Sequence, residues 1–278
     1  MTDRKPRMGR IEYLNVLPIY HALETGRVPH GYELVYGPPS LLNGMMMRGE
    51  LAVASTSCIE YARRPERYWI LPDLAIGSRG KVLSVLLLSR VPVEQLRGET
   101  VLASAATHTS VALLKLLFQD YLGISTAFAT GDASARAADA NPPKALLVIG
   151  DEALRLRGHP AYPHVWDLGE AWFDWTGLPF IFGLWVVSRK AAQAGDLAGD
   201  PAETLHRGRD WSLANMGPVL DAAGSRSPLS RDALREYFRC LSYKLGEEEQ
   251  RGLRLFYERL ARTGEIARAP ELAFWTGR

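Results

Sequence analysis

Two long apolar runs bracket the middle of this 278-residue chain and constrain its fold more than any other feature. Residues 82–88 and 180–187 are almost entirely apolar, which is typical of buried strands. Between them, strand and helix patterns alternate, as in a sheet of parallel strands covered by helices. A self-contained segment inserted between two strands predicts an α/β protein with two lobes, one of which is built from both ends of the chain.

The chain divides at these two runs. We assign residues 1–89 and 184–278 to lobe 1, a discontinuous lobe, and residues 90–183 to lobe 2. From residue 190 onward only helical patterns remain, so the sheets lie in the earlier part of the chain. Two lobes joined by crossing strands leave a cleft between them, and hinged closure around a ligand is common in such proteins.

Composition excludes several classes of protein. Hydrophobic residues make up 47% and charged residues 23%, as in ordinary globular domains. The net charge is +2 without a basic stretch, which argues against nucleic-acid partners. No apolar window approaches the roughly 20 residues that span a bilayer, and the start of the chain lacks the layout of a secretory signal. We therefore expect a cytoplasmic protein without membrane segments.

Polar side chains follow two strands of the first lobe. Asn15 ends a strand-like run that begins at Gly9, and Ser55, Thr56 and Ser57 end another. Open α/β sheets bind ligands beyond the carboxyl ends of their strands, so these four residues are candidate binding groups. The alternative is local: Asn15 bonds to the backbone where its strand ends, and the hydroxyls cap the next helix.

Hydroxyl groups also occur at two places farther along the chain. Ser84 interrupts the apolar run 82–88, and a buried hydroxyl needs a partner, either in the main chain or in a ligand. Residues 104–110, SAATHTS, join a strand to a helix. Free N–H groups at a helix start, together with Thr107, Thr109 and Ser110, favour binding of a carboxylate or phosphate, whereas simple capping accounts for one hydroxyl only.

The remaining chemistry is sparse. Asp151 follows a strand at residues 145–149 and is a candidate base, substrate contact or helix cap. Cys58 and Cys240 are far apart and are expected to be reduced packing residues. No phosphate loop, dinucleotide fingerprint, nucleophile elbow or pair of metal-spaced histidines occurs, so the sequence implies neither a metal nor an organic cofactor. Phe180 and Trp185 are candidates for an aromatic wall of the cleft.

Two segments of this sequence resemble one known family. GRIEYLNVLP at residues 9–18 and WDLGEAWFDWTGLPFIFGLW at residues 166–185 are similar to the enzymes of the futalosine route to menaquinone, within it the chorismate dehydratase branch. The resemblance implies a two-lobed fold of the periplasmic-binding-protein type II class. It also implies a lyase that removes water from chorismate, a dianion, without a cofactor.

The resemblance assigns roles to residues as well. It implies that the amide of Asn15 faces the substrate, that Ser55, Thr56 and Ser57 form a ligand-binding hydroxyl cluster, and that Thr109 and Ser110 hold a carboxylate. We hypothesise that a carboxylate of the substrate takes the proton, oriented by Ser84 and Asn15 as the catalytic residues. The rival hypothesis makes Asp151 the base.

Two other functions stay open. The sister naphthoate synthases of this family use a histidine base, and no histidine lies between Thr109 and Gly158, which favours the dehydratase branch. A solute-binding protein without catalytic activity would have the same two lobes. The missing export signal argues against it, because such a receptor works outside the cytoplasmic membrane. The sequence does not specify an oligomeric partner.

Overall fold

A computed structural model describes residues 5–104 and 108–277 and shows two five-stranded sheets. The first sheet has the order β2-β1-β3-β10-β4 and the second the order β7-β6-β8-β5-β9. The strands are β1 (Arg7–Ile11), β2 (Glu33–Gly37), β3 (Val53–Ser57), β4 (Tyr68–Ser78), β5 (Val85–Ser89), β6 (Thr100–Ser104), β7 (Ala127–Gly131), β8 (Ala145–Ile149), β9 (His164–Asp167) and β10 (Phe180–Ser188).

Helices cover both sheets and form most of the chain after β10. They are α1 (Leu17–Glu24), α2 (Pro39–Arg48), α3 (Cys58–Arg63), α4 (His108–Leu116), α5 (Ala133–Ala137), α6 (Gly150–Leu156), α7 (Leu168–Thr176), α8 (Arg189–Gln193), α9 (Pro201–Ala214), α10 (Met216–Gly224), α11 (Arg231–Cys240) and α12 (Glu247–Arg262). A 3-10 turn at Leu14–Val16 precedes α1, and a π-helical turn at Leu117–Tyr121 follows α4. Within the described residues, no helix is long and apolar enough to cross a membrane.

Both sheets are mixed rather than parallel throughout. β1 pairs in parallel with β2 and β3, and β6 pairs in parallel with β7 and β8. β10 runs antiparallel to β3 and β4, and β5 runs antiparallel to β8 and β9. The antiparallel strands β5 and β10 are the first that the chain forms after it crosses from one sheet to the other.

Sheet membership differs from the lobe boundaries that we predicted. The strand β5 belongs to the second sheet, although residues up to 89 were assigned to lobe 1. The strand β10 belongs to the first sheet from its first residue, Phe180, although residues up to 183 were assigned to lobe 2. Apolar composition marks both strands as buried but does not reveal their pairing partners. We therefore propose that the chain crosses between lobes at residues 79–84 and 177–179.

The sequence also concealed the longest strand of the described chain. β4 spans Tyr68–Ser78, and Pro72 and Asp73 interrupt its apolar pattern in the middle. Asp73 has a positive φ of 49°, and the pairing of β4 with β10 is irregular nearby. A proline and a left-handed residue are expected only where a strand is kinked. The kink explains why this segment does not have the appearance of a single strand in the sequence.

The helix α12 connects the two lobes on one side. It packs against β10 of the first sheet and against α4, which lies beside the second sheet. Two pairs of charges extend this contact: Arg259 lies 3.5 Å from Asp120, and Lys115 lies 2.6 Å from Glu265. These contacts hold the lobes face to face, so the polar ends of strands from both sheets meet at the cleft.

Candidate functional site

The cleft between the two sheets is lined by residues from both. It contains about 750 Å³ of empty space, a volume that includes the part open to solvent. Residues from the first lobe are Ile11, Tyr13, Asn15, Val16, Pro39, Ser55, Thr56, Ser57, Ile76, Phe182 and Gly183. Residues from the second are Val82, Ser84, Val85, Thr109, Ser110, Ile149 and Gly150.

The polar groups of this lining are neutral. They are the Asn15 amide, the Tyr13 phenol and the hydroxyls of serine and threonine. Among the described residues, none that lines the cleft is Asp, Glu, Lys, Arg or His. Hydroxyl and amide groups donate hydrogen bonds to anions but are poor general bases at neutral pH. The lining is suited to hold a polar or anionic molecule by hydrogen bonds.

Asn15 lies in the 3-10 turn Leu14–Val16, four residues beyond the end of β1, rather than directly at the end of a strand. Its Oδ1 atom is buried and has no hydrogen-bond partner among the described residues. The backbone-terminating role that sequence analysis left open is therefore not observed for this atom. A buried acceptor without a protein partner at the surface of a cleft is available to a ligand.

The hydroxyl cluster Ser55–Ser57 forms the last three residues of β3 and lines the cleft. Thr56 donates to the Asn43 Oδ1 atom at 2.9 Å. Ser57 occupies the position before α3, but its side chain does not cap that helix, and its Oγ atom is buried without a partner in the described part of the chain. Local capping therefore does not account for these hydroxyls.

Ser84 is buried at the point where the chain enters β5. Its Oγ atom accepts a hydrogen bond from the Tyr237 hydroxyl at 3.2 Å, and it lies 3.5 Å from the Val82 carbonyl oxygen. Of the two partners that the sequence left open for this hydroxyl, the main-chain contact is present but at the outer limit of a hydrogen bond. Ser84 also lines the cleft, so a ligand contact is compatible with the structure.

A buried carboxylate fixes the backbone before Ser84. Asp167 is 6% exposed and accepts hydrogen bonds from the Val82 and Leu83 N–H groups at 3.1 and 2.8 Å. It also caps α7 by accepting from the Gly169 and Glu170 N–H groups. Burial raises the pKa of Asp167, and the four N–H donors offset part of that rise by stabilising the carboxylate.

Leu83 adopts a left-handed conformation with φ of 62°. Such a conformation is costly for a leucine and persists where the surroundings determine it, often at functional sites. The Leu83 N–H group is held by Asp167, and the Ser84 carbonyl oxygen accepts from the Gly150 N–H group at 2.7 Å. The direction of the Ser84 side chain is thus set by bonds on both sides of this residue.

Thr109 and Ser110 lie in the first turn of α4, and both are buried and line the cleft. The Thr109 Oγ1 atom accepts from the Ile59 N–H group at 3.4 Å and lies 3.7 Å from the Cys58 Sγ atom. Thr109 therefore connects α4 to α3 of the other lobe. Thr107 lies outside the described residues.

Asp151 does not cap its own helix and does not line the cleft. It occupies the first turn of α6, and its Oδ1 atom accepts from the Leu14 N–H group at 3.1 Å. Leu14 begins the 3-10 turn that carries Asn15, so the carboxylate satisfies an N–H group of a turn in the opposite lobe. Burial raises the pKa of Asp151, while the bond from Leu14 opposes that rise.

Sequence reasoning did not single out Tyr13, Gly150 or Phe182 as residues of the cleft. Tyr13 lines the cleft beside Gly150, which has a positive φ of 57°. A side chain at position 150 would lie 3.3 Å from the Tyr13 ring. The aromatic wall is formed by Phe182, whereas Phe180 packs on Trp172 and the Trp185 Nε1 atom donates to Tyr20 inside lobe 1. The sequence does not distinguish Phe182 from Phe180, since both lie in one apolar run and only the packing of β10 brings Phe182 to the cleft and Phe180 against Trp172.

The described residues contain no group of three or more His, Cys, Asp or Glu side chains arranged to hold a metal ion. Cys58 and Cys240 are free thiols. Burial raises the pKa of Cys58 to about 12, which leaves it protonated and unreactive.

Solved structures of similar shape define the class of protein. A protein from Archaeoglobus fulgidus aligns with a TM-score of 0.77 at 19% identity, over 96% of this chain and 100% of its own. The periplasmic aliphatic sulphonate-binding protein SsuA from Escherichia coli aligns with a TM-score of 0.68 at 13% identity, over 100% and 94%. Two lobes around a cleft therefore make this a periplasmic-binding-protein-like α/β protein, as predicted from the sequence.

Sequence relatives define the family. Residues 6–262 match the family described as menaquinone biosynthesis, and the chain belongs to that family. A chorismate dehydratase from Thermus thermophilus is 28% identical over 91% of this chain and 94% of its own length, and one from Campylobacter jejuni is 32% identical over 66% and 68%. A 1,4-dihydroxy-6-naphtoate synthase from Thermus thermophilus is 28% identical over 96% and 98%. The resemblance to the chorismate dehydratase branch is thus confirmed.

Proposed function

We propose that this protein is a chorismate dehydratase, a lyase that converts chorismate to 3-[(1-carboxyvinyl)oxy]benzoate and water. The observation that carries this proposal is a cleft whose polar lining consists of hydroxyls and one amide, without an ionisable acid or base other than the Tyr13 phenol among its described residues. Such a lining suits a reaction in which the substrate brings its own base. The names of two relatives support the same substrate.

The reaction requires little covalent chemistry from the protein. The hydrogen at C3 leaves as a proton, its electron pair forms a ring double bond, and the C4–O bond breaks. The departing hydroxide takes a proton and leaves as water. Because the product ring is aromatic, the protein has only to position the dianion, assist removal of the proton and stabilise the leaving group.

The two lobes would divide this work between them. Ser110 and Thr109, in the first turn of α4, bind one carboxylate of chorismate with hydroxyl groups at the positive end of the helix. The Ser84 hydroxyl and the NH2 group of the Asn15 amide donate hydrogen bonds that orient the other carboxylate, which removes the proton from C3. The hydroxyls of Ser55, Thr56 and Ser57 bind the hydroxyl and ether oxygens attached to the ring from the side of lobe 1.

The position of Asp151 supports the route through a substrate carboxylate. As a base, Asp151 would need to reach the cleft, but its Oδ1 atom is bonded to the Leu14 N–H group and it is not among the lining residues. Its contribution is structural, because it holds the turn that carries Asn15. Its raised pKa alone does not make it the base.

Replacing Asp151 with Asn separates the two proton routes. The amide oxygen can still accept from Leu14, so kcat is expected to fall by about tenfold or less. Loss of a general base would instead lower kcat by roughly 10² to 10⁴. Steady-state kinetics with chorismate measure the difference. The control is Asp200→Asn, which makes the same change at the N-cap of α9. A nearly inactive Asp151→Asn beside an active Asp200→Asn would make Asp151 the base.

Naphthoate synthase activity is the second candidate because two relatives carry that name. That reaction in this family uses a histidine base, as the sequence resemblance implies. His108, at the start of α4, is exposed, and no described lining residue of the cleft is a histidine. A solute-binding role has support only from the fold, which receptors such as SsuA share.

Turnover of chorismate by the purified protein tests the proposed function. We expect stoichiometric formation of 3-[(1-carboxyvinyl)oxy]benzoate, which chromatography measures. The rate should be unchanged by excess EDTA because the proposed steps need no metal. Chorismate that stays intact, or activity that requires added metal, would overturn the proposal. The two free thiols accord with a cytoplasmic location, which is part of the proposal.

A further inference from the structure

Tyr237 is connected to the cleft through a hydrogen bond to Ser84. It lies on α11, is 1% exposed, and its hydroxyl is 3.2 Å from the Ser84 Oγ atom. Tyr237 is not among the residues that line the cleft. The contact joins a C-terminal helix to the segment where the chain crosses between the lobes, 153 residues away in sequence. No motif or spacing in the sequence associates these two residues.

The direction of this hydrogen bond determines what Ser84 can do. Burial raises the pKa of Tyr237 well above its usual value, so the phenol keeps its proton and donates it. A serine hydroxyl has one proton and two acceptor sites. With one acceptor site taken by Tyr237, and Val82 only at 3.5 Å, the Ser84 proton remains for an acceptor in the cleft.

The backbone leaves Ser84 little other freedom. Asp167 fixes the N–H groups of Val82 and Leu83, and Gly150 bonds to the Ser84 carbonyl oxygen. What these bonds do not determine is the rotation of the hydroxyl about its C–O bond. The Tyr237 hydroxyl acts on that rotation directly.

We propose that Tyr237 is a positioning residue that turns Ser84 into a dedicated hydrogen-bond donor toward a carboxylate of the molecule in the cleft. This inference rests on the proposed function for its effect on turnover. Tyr237 itself does not touch the substrate. Its whole contribution to the reaction passes through the Ser84 hydroxyl, so it should disappear when that hydroxyl is removed.

A double-mutant cycle tests this dependence. Tyr237→Phe should lower kcat about tenfold with little change in KM, the scale expected for loss of one hydrogen bond. In a Ser84→Ala background, the same change should alter kcat by less than about twofold. Tyr162→Phe is the matched control, because Tyr162 is also buried and its hydroxyl has no partner in the described part of the chain. It should keep the kcat of the unmodified protein.

The outcomes separate this inference from the proposed function. Additive losses of kcat, or a Tyr237→Phe protein that is merely less stable in thermal unfolding with its kcat intact, would overturn the role of Tyr237. Binding of the product 3-[(1-carboxyvinyl)oxy]benzoate, measured by calorimetry over the same cycle, gives a second readout. If the unmodified protein binds this product but does not convert chorismate, the proposed function fails. In that case, non-additive losses of product binding over the cycle would still support the role of Tyr237. Additive losses would overturn it. Absence of product binding together with absence of chorismate conversion would overturn both.

Discussion

Ser84→Ala is expected to lower kcat for chorismate by roughly 10²-fold, the scale expected when a reacting group is misplaced by about 1 Å, because Ser84 orients the carboxylate that takes the proton. Ser84 is held by Asp167, Gly150 and Tyr237, so it reaches the carboxylate without reorganisation. The loss should lie mainly in kcat, because Thr109 and Ser110 still bind the other end of the dianion. Steady-state kinetics at saturating chorismate measure it.

The control for this change is Ser212→Ala. Ser212 is completely buried in α9, and its Oγ atom has no partner among the described residues. Ser212→Ala therefore removes a buried hydroxyl, as Ser84→Ala does, but at a position that does not line the cleft. Its kcat should be unchanged. Ser84→Ala leaves the Tyr237 hydroxyl without its acceptor, which costs about 1–3 kcal/mol of folding free energy. Combining it with Tyr237→Phe should restore much of that stability but not kcat, and a recovery of kcat in the double variant would contradict a role for Ser84.

The polar candidates could be predicted because local sequence determined them. A serine inside an apolar run needs a partner wherever it lies, and hydroxyls at the end of a strand or the start of a helix face the edge of a sheet. Ser55, Thr56, Ser57, Ser84, Thr109 and Ser110 all line the cleft for these local reasons. Their roles in catalysis remain predictions.

The partners of these residues were not predictable from the sequence. Asp151 was considered as a cap of its own helix, because a carboxylate in a first turn usually bonds to nearby N–H groups. Instead it bonds to Leu14, 137 residues away. Tyr237 had the pattern of an ordinary buried position on an amphipathic helix. Contacts of this kind depend on how the two lobes meet, which no periodicity along the chain encodes.

The sheet membership of β5 and β10 was not predictable for a related reason. A strand that crosses between lobes is equally apolar in either sheet, so β5 and β10 gave no sign of the sheet to which each belongs. Pairing is decided by registers with distant strands, such as Val85 opposite Ile149 and Trp185 opposite Ser55. This membership matters for function, because Ser84 lies between β4 of the first sheet and β5 of the second.

Asn15→Asp is expected to raise KM for chorismate by about 10²- to 10³-fold near pH 8. The substitution keeps the size of the side chain but adds a negative charge beside a dianion. Two charges about 4 Å apart repel by about 4 kcal/mol at the effective dielectric constant of a site near the protein surface. Burial and the bound dianion both raise the pKa of the introduced carboxyl. KM should therefore fall toward its normal value as the pH is lowered and that carboxyl becomes neutral.

Two companion variants give this result a single interpretation. Asn15→Ala removes the amide without adding charge, so it should lower kcat strongly but show no recovery of KM at low pH. Asn141→Asp makes the same chemical change at an exposed position of the second lobe and should leave both constants unchanged. The Asn15 Oδ1 atom is buried and unpaired within the described chain, and no described lining residue of the cleft is a cation with which an introduced carboxylate could pair. If Asn15→Asp had a normal KM at pH 8, the substrate would not contact this turn, and the assignment of Asn15 would be wrong.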